Sequence, residues 1–351
     1  MLIAIHPDKS GSRSYSEKWS EFLRKRNIKV KYINLNKNDA IEQVKDCDGV
    51  MWRWIHINQD KIKAYLILHT IEYYLGIPVF PNHNSCWHYD NKIAQYYIFK
   101  ALNIPIPDTY VFWDKKNASD WADKTAYPLI FKLSSGASSS NVIKVNSKQH
   151  ALLLIDTMFN KGIFPLTMNE FKKTVFPPKS LREIINTLSR FKYGLYFCLE
   201  GNYPPLPAAW WLPEKGYIYL QEFIPDNSFD TRITVIGDRA FGYRRFNRQN
   251  DFRASGSGNF DVDHTEIDLN CVKIAFGISK KLECQSMAYD FIFKKEKPII
   301  TEMSYTYVDW MVEKCPGHWK PDLTWVERNM WPEEAQIEDF IDLIQKKNRE
   351  K

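Results

Sequence analysis

Two periodicities alternate along the N-terminal part of the chain. Leu2–His6, Val30–Leu35, Gly49–Ile55 and Ile77–Phe80 are short apolar runs of strand type. Between them, Ser16–Arg26 carries Trp19, Phe22 and Leu23 at helical spacing, Ala40–Asp46 reads as a short helix, and Lys61–Leu75 as a helix stopped by Gly76. This β-α-β-α-β-α-β order predicts a parallel sheet covered by helices. No Gly-x-Gly-x-x-Gly follows the first strand, which speaks against a dinucleotide site. Ligands of such sheets gather at the carboxyl ends of the strands. Tyr15, in the Pro7–Tyr15 loop, and the strand-end residues Arg53 and His56 are therefore candidate substrate contacts.

Beyond about Tyr89 the pattern changes. Asn91–Leu102 reads as a helix with Ile93, Ala94, Tyr97, Ile98 and Ala101 inward. A strand at Tyr110–Trp113, a helix at Ala118–Ala122 and strands at Pro128–Leu133 and Val142–Val145 follow. The last two strands bracket the loop Ser134–Asn141, rich in small hydroxyl residues. Such a tip offers many N–H groups and can cover a phosphate, although an ordinary turn would read the same. Residues 160–216 are aromatic and less regular, with one clear helix around Ser180–Ser189, and read as an insertion.

Tyr217–Phe223 returns to strand, and Arg232–Ile236 and Arg239–Phe246 form a hairpin on a Gly237-Asp238 turn. Its alternation sets Asp230 opposite Arg245, with Arg232 diagonal to both. After an amphipathic helix at Cys271–Leu282 come two strand-like segments, Met287–Phe293 and Ile299–Ser304. A five-residue loop between them, Lys294–Pro298, centred on Glu296, would set Asp290 opposite Glu302. Like charges so placed repel, and a cation between them relieves the repulsion. Two hard oxygen ligands on one face suit Mg²⁺. A final helix, Glu334–Lys346, has one apolar stripe that would dock on the body.

Composition narrows the class. A chain of 351 residues with 44% hydrophobic and 26% charged content suits two or three domains with ordinary cores. The boundaries suggested are 1–88, 89–216 and 217–351. The net charge of +6 is spread among interleaved acids, which disfavours a nucleic-acid platform and mildly favours anionic ligands. No apolar run is long enough for a membrane span and no basic leader opens the chain, so a cytoplasmic location is expected. The six cysteines form no CxxC pair and read as free thiols. The His83–His88 cluster lacks the second half of a zinc site.

Lys132, Arg232, Arg245, Arg253, Asp290, Glu302 and the serine loop together make a polyphosphate cradle. In this order, from about Tyr89 to about Val308, the chain resembles the ATP-grasp carboxylate–amine ligases, nearest the glutathione synthetase and ribosomal-protein glutamate ligase branch. The resemblance implies an ATP-grasp fold, mixed α/β and α+β, preceded by a parallel α/β pre-ATP-grasp domain. It implies ATP and Mg²⁺ as cofactors. Lys92, in Asp90-Asn-Lys92, and Lys132 would bind the ATP phosphates and adenine. The lid-loop residues Ser134, Ser135, Gly136 and Ser138 would cover the phosphates. Gln221, Glu222, Phe223 and Ile224 look like the hinge strand along the adenine edge. Asp230 and Arg232 look like the family's Asp-x-Arg. Arg245 and Arg253 fall where arginines stabilise phosphates and the acyl phosphate. Asp290, Glu302 and Ser304 match the metal positions, with Ser304 where the family usually has Asn.

The segments Glu302–Val308, Cys315-Pro-Gly-His-Trp and Trp331-Pro-Glu-Glu resemble a subset associated with surface-polysaccharide clusters and thought to amidate sugar acids. The implied partners are a small carboxylate, in that subset a sugar acid or its nucleotide conjugate, and an amine, with no nucleic acid. Two other readings stay open: a small-molecule kinase on the same scaffold and a nucleotide-binding regulator without turnover. The oligomeric state, a homodimer included, is also open.

Overall fold

A computed structural model describes residues 1–8, 14–55, 58–136, 141–163, 213–249 and 251–350. The expected Ser180–Ser189 helix lies outside them. The chain divides into two compact units. One is built from Met1–His56, Asp60–Pro107 and Ile224–Lys351, and the other is essentially Asp108–Phe223.

The first unit opens with β1 (Leu2–Ile5), α1 (Tyr15–Lys25), β2 (Lys29–Tyr32), β3 (Gly49–Met51), α2 (Asn58–Tyr74) and β4 (Val79–Phe80). The strands form the expected parallel sheet, in the order β2-β1-β3-β4. Ala40–Asp46 departs from expectation: it holds one 3₁₀ turn, Glu42–Val44. Seven residues supply too few hydrogen bonds to offset the cost of nucleating an α-helix. The start of α1 is fixed by acids and hydroxyls. Ser14 Oγ accepts from Glu17 N at 3.3 Å, and the Asp8 carboxylate accepts from Tyr15 N at 3.2 Å and Ser16 N at 3.1 Å. Both satisfy N–H groups that the helix itself leaves without partners.

A short helix α3 (His83–Cys86) leads to α4 (Lys92–Ala101). Here the inward set differs from expectation. Ile93 is buried, but so are Gln95 and Phe99, while Tyr97 is 48% exposed. Gln95 turns the helix. Its Nε2 donates to Met303 O at 2.8 Å and its Oε1 accepts from Met303 N at 3.2 Å. A polar residue with two good backbone bonds can be buried without penalty, and an apolar pattern alone does not reveal it.

The second unit contains β5 (Thr109–Phe112), α5 (Lys115–Ala122), β6 (Leu129–Lys132), β7 (Val142–Val145), α6 (Lys148–Phe159) and β8 (Ile218–Glu222). Its antiparallel sheet runs β5-β8-β6-β7. Asp114 and Ser147 cap the two helices through their side chains.

The rest of the first unit is a larger sheet with flanking helices. Its elements are β9 (Phe229–Ile236), β10 (Arg239–Phe246), β11 (Phe260–Asp261), α7 (Leu269–Leu282), β12 (Ser286–Lys294), β13 (Lys297–Ser304), α8 (Asp309–Glu313), β14 (His318–Trp319), β15 (Trp325–Val326) and α9 (Pro332–Arg349). The order is β13-β12-β9-β10-β14-β15, with β11 beside β10. Buried Val272, Ala275 and Ile278 of α7 join the same core as Val235, Met287 and Tyr289. The last helix packs instead with the N-terminal sheet. Its Ile337, Phe340, Ile341 and Ile344 cluster with Ile3, Ile5, Trp19 and Met51, and Trp19 Nε1 donates to Gln336 at 2.8 Å. Gly49 of β3 lies under this helix, where a Cβ would come within 2.7 Å of Ile344 and 2.8 Å of Phe340.

Charge is also buried at this junction. Lys18 of α1 bonds Asp309, stands 3.3 Å from Glu333 and lies over the Trp331 ring at 3.8 Å. Glu333 is fully buried and shares its lysine with Asp309. Burial, together with the nearby Asp309 charge and only partly offset by Lys18, pushes its carboxyl up to about 8 from an ordinary 4.5. Between those values the folded chain binds more protons at Glu333 than the unfolded chain, so this group lowers stability as pH rises. Thermal unfolding of Glu333→Gln should accordingly vary less between about pH 5 and pH 8 than that of the parent. Equal slopes would mean that Lys18 keeps Glu333 ionised.

Candidate active site

The acid pair is in register. Asp290 of β12 faces Glu302 of β13 across the ladder. The route to that register differs from the one expected. The strands are joined by two residues, Lys295 and Glu296, with φ of 51° and 63°, rather than by a five-residue loop. Positive φ at both positions is the type I′ geometry that suits tight hairpins. Near the turn the pairs are Phe293↔Pro298 and Phe291↔Ile300, and a bulge before Asp290 then advances β13 by one residue. A five-residue loop and a two-residue loop with one bulge lead to the same partner.

On its other side Asp290 pairs with Arg232 of β9. Arg232 grips it with two bonds, Nε to Oδ1 at 2.6 Å and Nη2 to Oδ2 at 2.7 Å. Arg245 of β10, opposite Asp230 as expected, grips that acid with two bonds of 2.7 Å and reaches Asp290 Oδ2 at 2.8 Å. Asp290 and Arg245 are buried. Burial opposes ionisation of Asp290, but the two guanidinium groups outweigh it and hold the carboxyl well below the usual range. Asp230 moves the other way: burial dominates, Arg245 only partly offsets it, and the carboxyl is raised. With two arginines between them, the acid touched by both keeps its charge more firmly.

Lys92 enters from α4. Its buried ammonium lies 3.4 Å from Glu302 Oε1, a carboxylate with 36% of its side chain exposed. The Gln95–Met303 clamp, one helical turn on, sets that distance. Ser304 Oγ donates to Thr306 O at 2.7 Å and accepts from Thr306 N at 3.2 Å, which engages it in its own turn. Among the described residues no three His, Cys, Asp or Glu side chains gather as a metal site. Two carboxylates on one face nevertheless fit Mg²⁺, which usually takes one or two from the protein and the rest from phosphate and water. Arg253 pairs with Asp251 in the loop after β10, at 2.9 Å, instead of joining the Arg232–Arg245–Asp290 network.

In the second unit, Lys132 Nζ donates to Gln221 Oε1 at 2.8 Å, and Gln221 Nε2 donates to Thr109 Oγ1 at 2.9 Å. The residues Glu222, Phe223 and Ile224 follow at the end of β8. Two residues absent from the sequence-based set belong here. Lys144 of β7 sits 3.7 Å above the Phe223 ring. Glu214 accepts from Ser134 N at 2.9 Å and Ser135 N at 3.2 Å, anchoring the base of the serine loop. Lys144 is two residues from the strand's turn end and was detectable by alternation, whereas the sequence around Glu214 has no period. Gly136 has φ +116°, and a Cβ there would strike Asn141. Ser138 lies outside the described residues, as does His56.

At the N-terminal sheet, Arg53 and Tyr15 are together. The guanidinium lies 4.2 Å from the Tyr15 ring centre and 3.8 Å from Asp8, and Tyr15 donates to Tyr307 O at 2.8 Å. The C-terminal motif residues have packing partners. Cys315 Sγ lies 3.5 Å from Gly242 O, and Trp319 covers Gly242, where a Cβ would meet its ring at 2.9 Å.

Residues 210–314, which hold the arginine–carboxylate network, match the RimK-like ATP-grasp domain family. Over that segment the chain is similar to RimK-like ATP-grasp domains. A curated relative, the alpha-aminoadipate–LysW ligase LysX of Saccharolobus solfataricus, is 26% identical over 206 residues, 58% of this chain. The chain spans about half of that relative, 55%. Solved structures share the fold across the whole length. D-alanine–D-alanine ligase from Bacillus anthracis has 16% identity and a TM-score of 0.58, covering 99% of each chain. The RimK domain ATP-grasp protein of Sphaerobacter thermophilus has 12% identity and a TM-score of 0.55, covering 97% of this chain and 99% of its own. The macrocyclase MdnC of Microcystis aeruginosa, solved with its precursor peptide MdnA, has 12% identity and a TM-score of 0.56, covering 97% and 100%. The ATP-grasp fold with a parallel N-terminal sheet is thus as expected.

The two acids of this row should respond differently to neutralisation. Asp290→Asn leaves two buried guanidinium groups short of a counter-charge and should cost about 3–5 kcal/mol of stability. Glu302→Gln breaks a longer pair whose carboxylate is 36% exposed and should cost less than Asp290→Asn. Urea unfolding of the two variants measures the difference, and equal losses would show that the arginines do not depend on Asp290.

Proposed function

We propose that this chain is an ATP-dependent carboxylate–amine ligase. The observation that carries the proposal is the Arg232–Asp290–Glu302 row, with Arg245 and Lys92 at its edges, inside the segment that matches the RimK-like family. In this reading Asp290 and Glu302 hold Mg²⁺, which would neutralise phosphate charge and bring the nucleotide into line. Ser304 would hold at most a water of its shell, since its hydroxyl is bonded within its own turn. Lys132, Gln221 and the Glu222–Ile224 stretch are the proposed nucleotide contacts, with Ser134, Ser135 and Gly136 over the phosphates.

The chemistry needs little proton transfer. A substrate carboxylate oxygen attacks the γ-phosphorus of ATP, the bond to the β-bridging oxygen breaks, and ADP leaves. An amine then attacks the acyl carbon, phosphate departs with the proton the amine gives up, and an amide remains. Arg232, Arg245 and Lys92 meet the charge that develops on the transferring phosphoryl group. Arg253, paired with Asp251, would have to exchange that partner to act on the acyl phosphate. Arg53 and Tyr15 are the proposed grip on the acid, because a guanidinium can bind a carboxylate at two points. Relatives are named for alpha-aminoadipate and D-alanine, which supports an amino-acid or peptide carboxylate. The finer reading, amidation of a sugar acid for a surface polysaccharide, rests on the C-terminal motif alone.

The test is ADP release from ATP and Mg²⁺ with amino acids, peptides and uronic acids, each against a panel of amines. Release should need both an acid and an amine, and Glu302→Gln should lower turnover at least about a hundredfold. Release driven by an alcohol, with a stable phosphorylated product, would make the chain a kinase. Tight ATP binding without release under any pairing would make it a regulator.

A further inference from the structure

The helix α2 is apolar on two sides. Ala64, Leu68 and Ile71 face the core. On the opposite side Ile62, Tyr65, Leu66 and Tyr73 are each more than half exposed, with His69 among them. These five positions make one helical stripe that contains no Asp, Glu, Lys or Arg. Rings from the α3 region extend it. His83 lies 4.9 Å from His69 and 5.7 Å from Tyr65, and it stacks on Trp87, itself 44% exposed. A cavity of about 300 Å³ opens beside the stripe, walled by Trp54, Ile62, Leu66 and Trp87, with Lys61 at its edge. Single exposed apolar residues need no explanation, but a contiguous patch marks an interaction surface.

We infer that this stripe is the contact of a two-fold symmetric dimer, in which α2 packs antiparallel on α2 of a second copy. The spacing carries the choice of occupant. Ile62, Leu66, His69 and Tyr73 are separated by four, three and four residues, the same in either direction. An isologous contact requires such a palindrome, because residue i must meet j while j meets i. About an axis at the Ile67–Leu68 step, Ile62 meets Tyr73 and Leu66 meets His69 of the other copy. The four–three alternation is also the seam of two packed helices. The area is of the right size. With Tyr74 and Trp87, the exposed large side chains of this face offer roughly 700 Å², on the scale of 150–250 Å² for a large side chain. A standard interface uses about 800 Å² from each partner. The inference is independent of the proposed reaction.

Sedimentation equilibrium of the full chain between about 1 and 50 µM tests it, and the mass should be that of a dimer at the upper concentrations. Leu66→Glu and Tyr73→Glu place a charge in the seam at exposed positions. Each should weaken association at least about a hundredfold while leaving circular dichroism unchanged, and should lower the unfolding midpoint only at concentrations where the parent is a dimer. Geometry is read by cross-linking. Leu66→Cys should form a disulfide dimer with itself on mild oxidation. Ile62→Cys should not, because antiparallel packing separates the two copies of position 62 by about 16 Å, but it should cross-link to Tyr73→Cys. A monomer at every concentration, a dimer indifferent to both glutamates, or self-linking of Ile62→Cys would each overturn the proposal. Binding of a monomer to phosphatidylcholine vesicles, abolished by Leu66→Glu, would assign the stripe to a lipid surface instead.

Discussion

Everything in the catalytic half turns on one buried carboxylate held by two arginines. Asp290 sits on a central strand, β12, with Arg232 on one neighbouring strand and Glu302 on the other. Moving any of these strands by one residue would send its charged member to the opposite face. The arginine bonds therefore fix register as well as charge. An ion pair of this kind adds little net stability, because desolvation cancels most of the attraction. It does make wrong registers costly, since each would leave a buried ion alone. In the proposed reaction the same row that specifies the sheet would meet phosphate with its geometry already set.

The approach of Lys92 depends on a different constraint. Its helix could satisfy its apolar residues in more than one rotation. Gln95 selects one, by bonding both backbone groups of Met303, the residue next to Glu302. A lysine and a glutamate far apart in sequence are thus tied to one short stretch of β13. Neither unit needs help from the other for this: the whole row, Lys92 included, lies within the first.

The readable parts of the sequence were those in which pattern and geometry coincide. The parallel sheet followed from strand–helix alternation, and the Asp230–Arg245 pairing from a two-residue Gly-Asp turn that fixes register outright. The Asp290–Glu302 pairing was reached through an incorrect loop length. A bulge restored the register, and nothing in Ile299–Ser304 announces a bulge, because every residue there can adopt it. Gln95 was hidden because its burial is justified by two backbone atoms from a distant strand. Glu214 was hidden because it joins the Ser134 and Ser135 N–H groups to the Ser135 and Tyr217 hydroxyls, residues that are about eighty positions upstream or just before the next strand and share no period with it. The pairing of Arg253 with Asp251 is local and could have been anticipated from an acid two residues before an arginine.

Charge counting shows why such a site calls for a cation from outside. Arg232, Arg245 and Lys92 face Asp230, Asp290 and Glu302, three positive groups against three negative. In the proposed reaction a polyphosphate would bring several negative charges into this neutral set, and in a partly buried site each would be more costly than in water. Freeing the arginines for phosphate would strip Asp290 of its partners, which its depressed carboxyl resists. In the proposed reaction a divalent cation would resolve the conflict from the exposed side, where Glu302 has the looser partner. In that arrangement Asp290 need not release either arginine, because each carboxylate oxygen can accept more than one contact. Glu302, the acid the sheet needs least, would then be the one most open to the proposed cation.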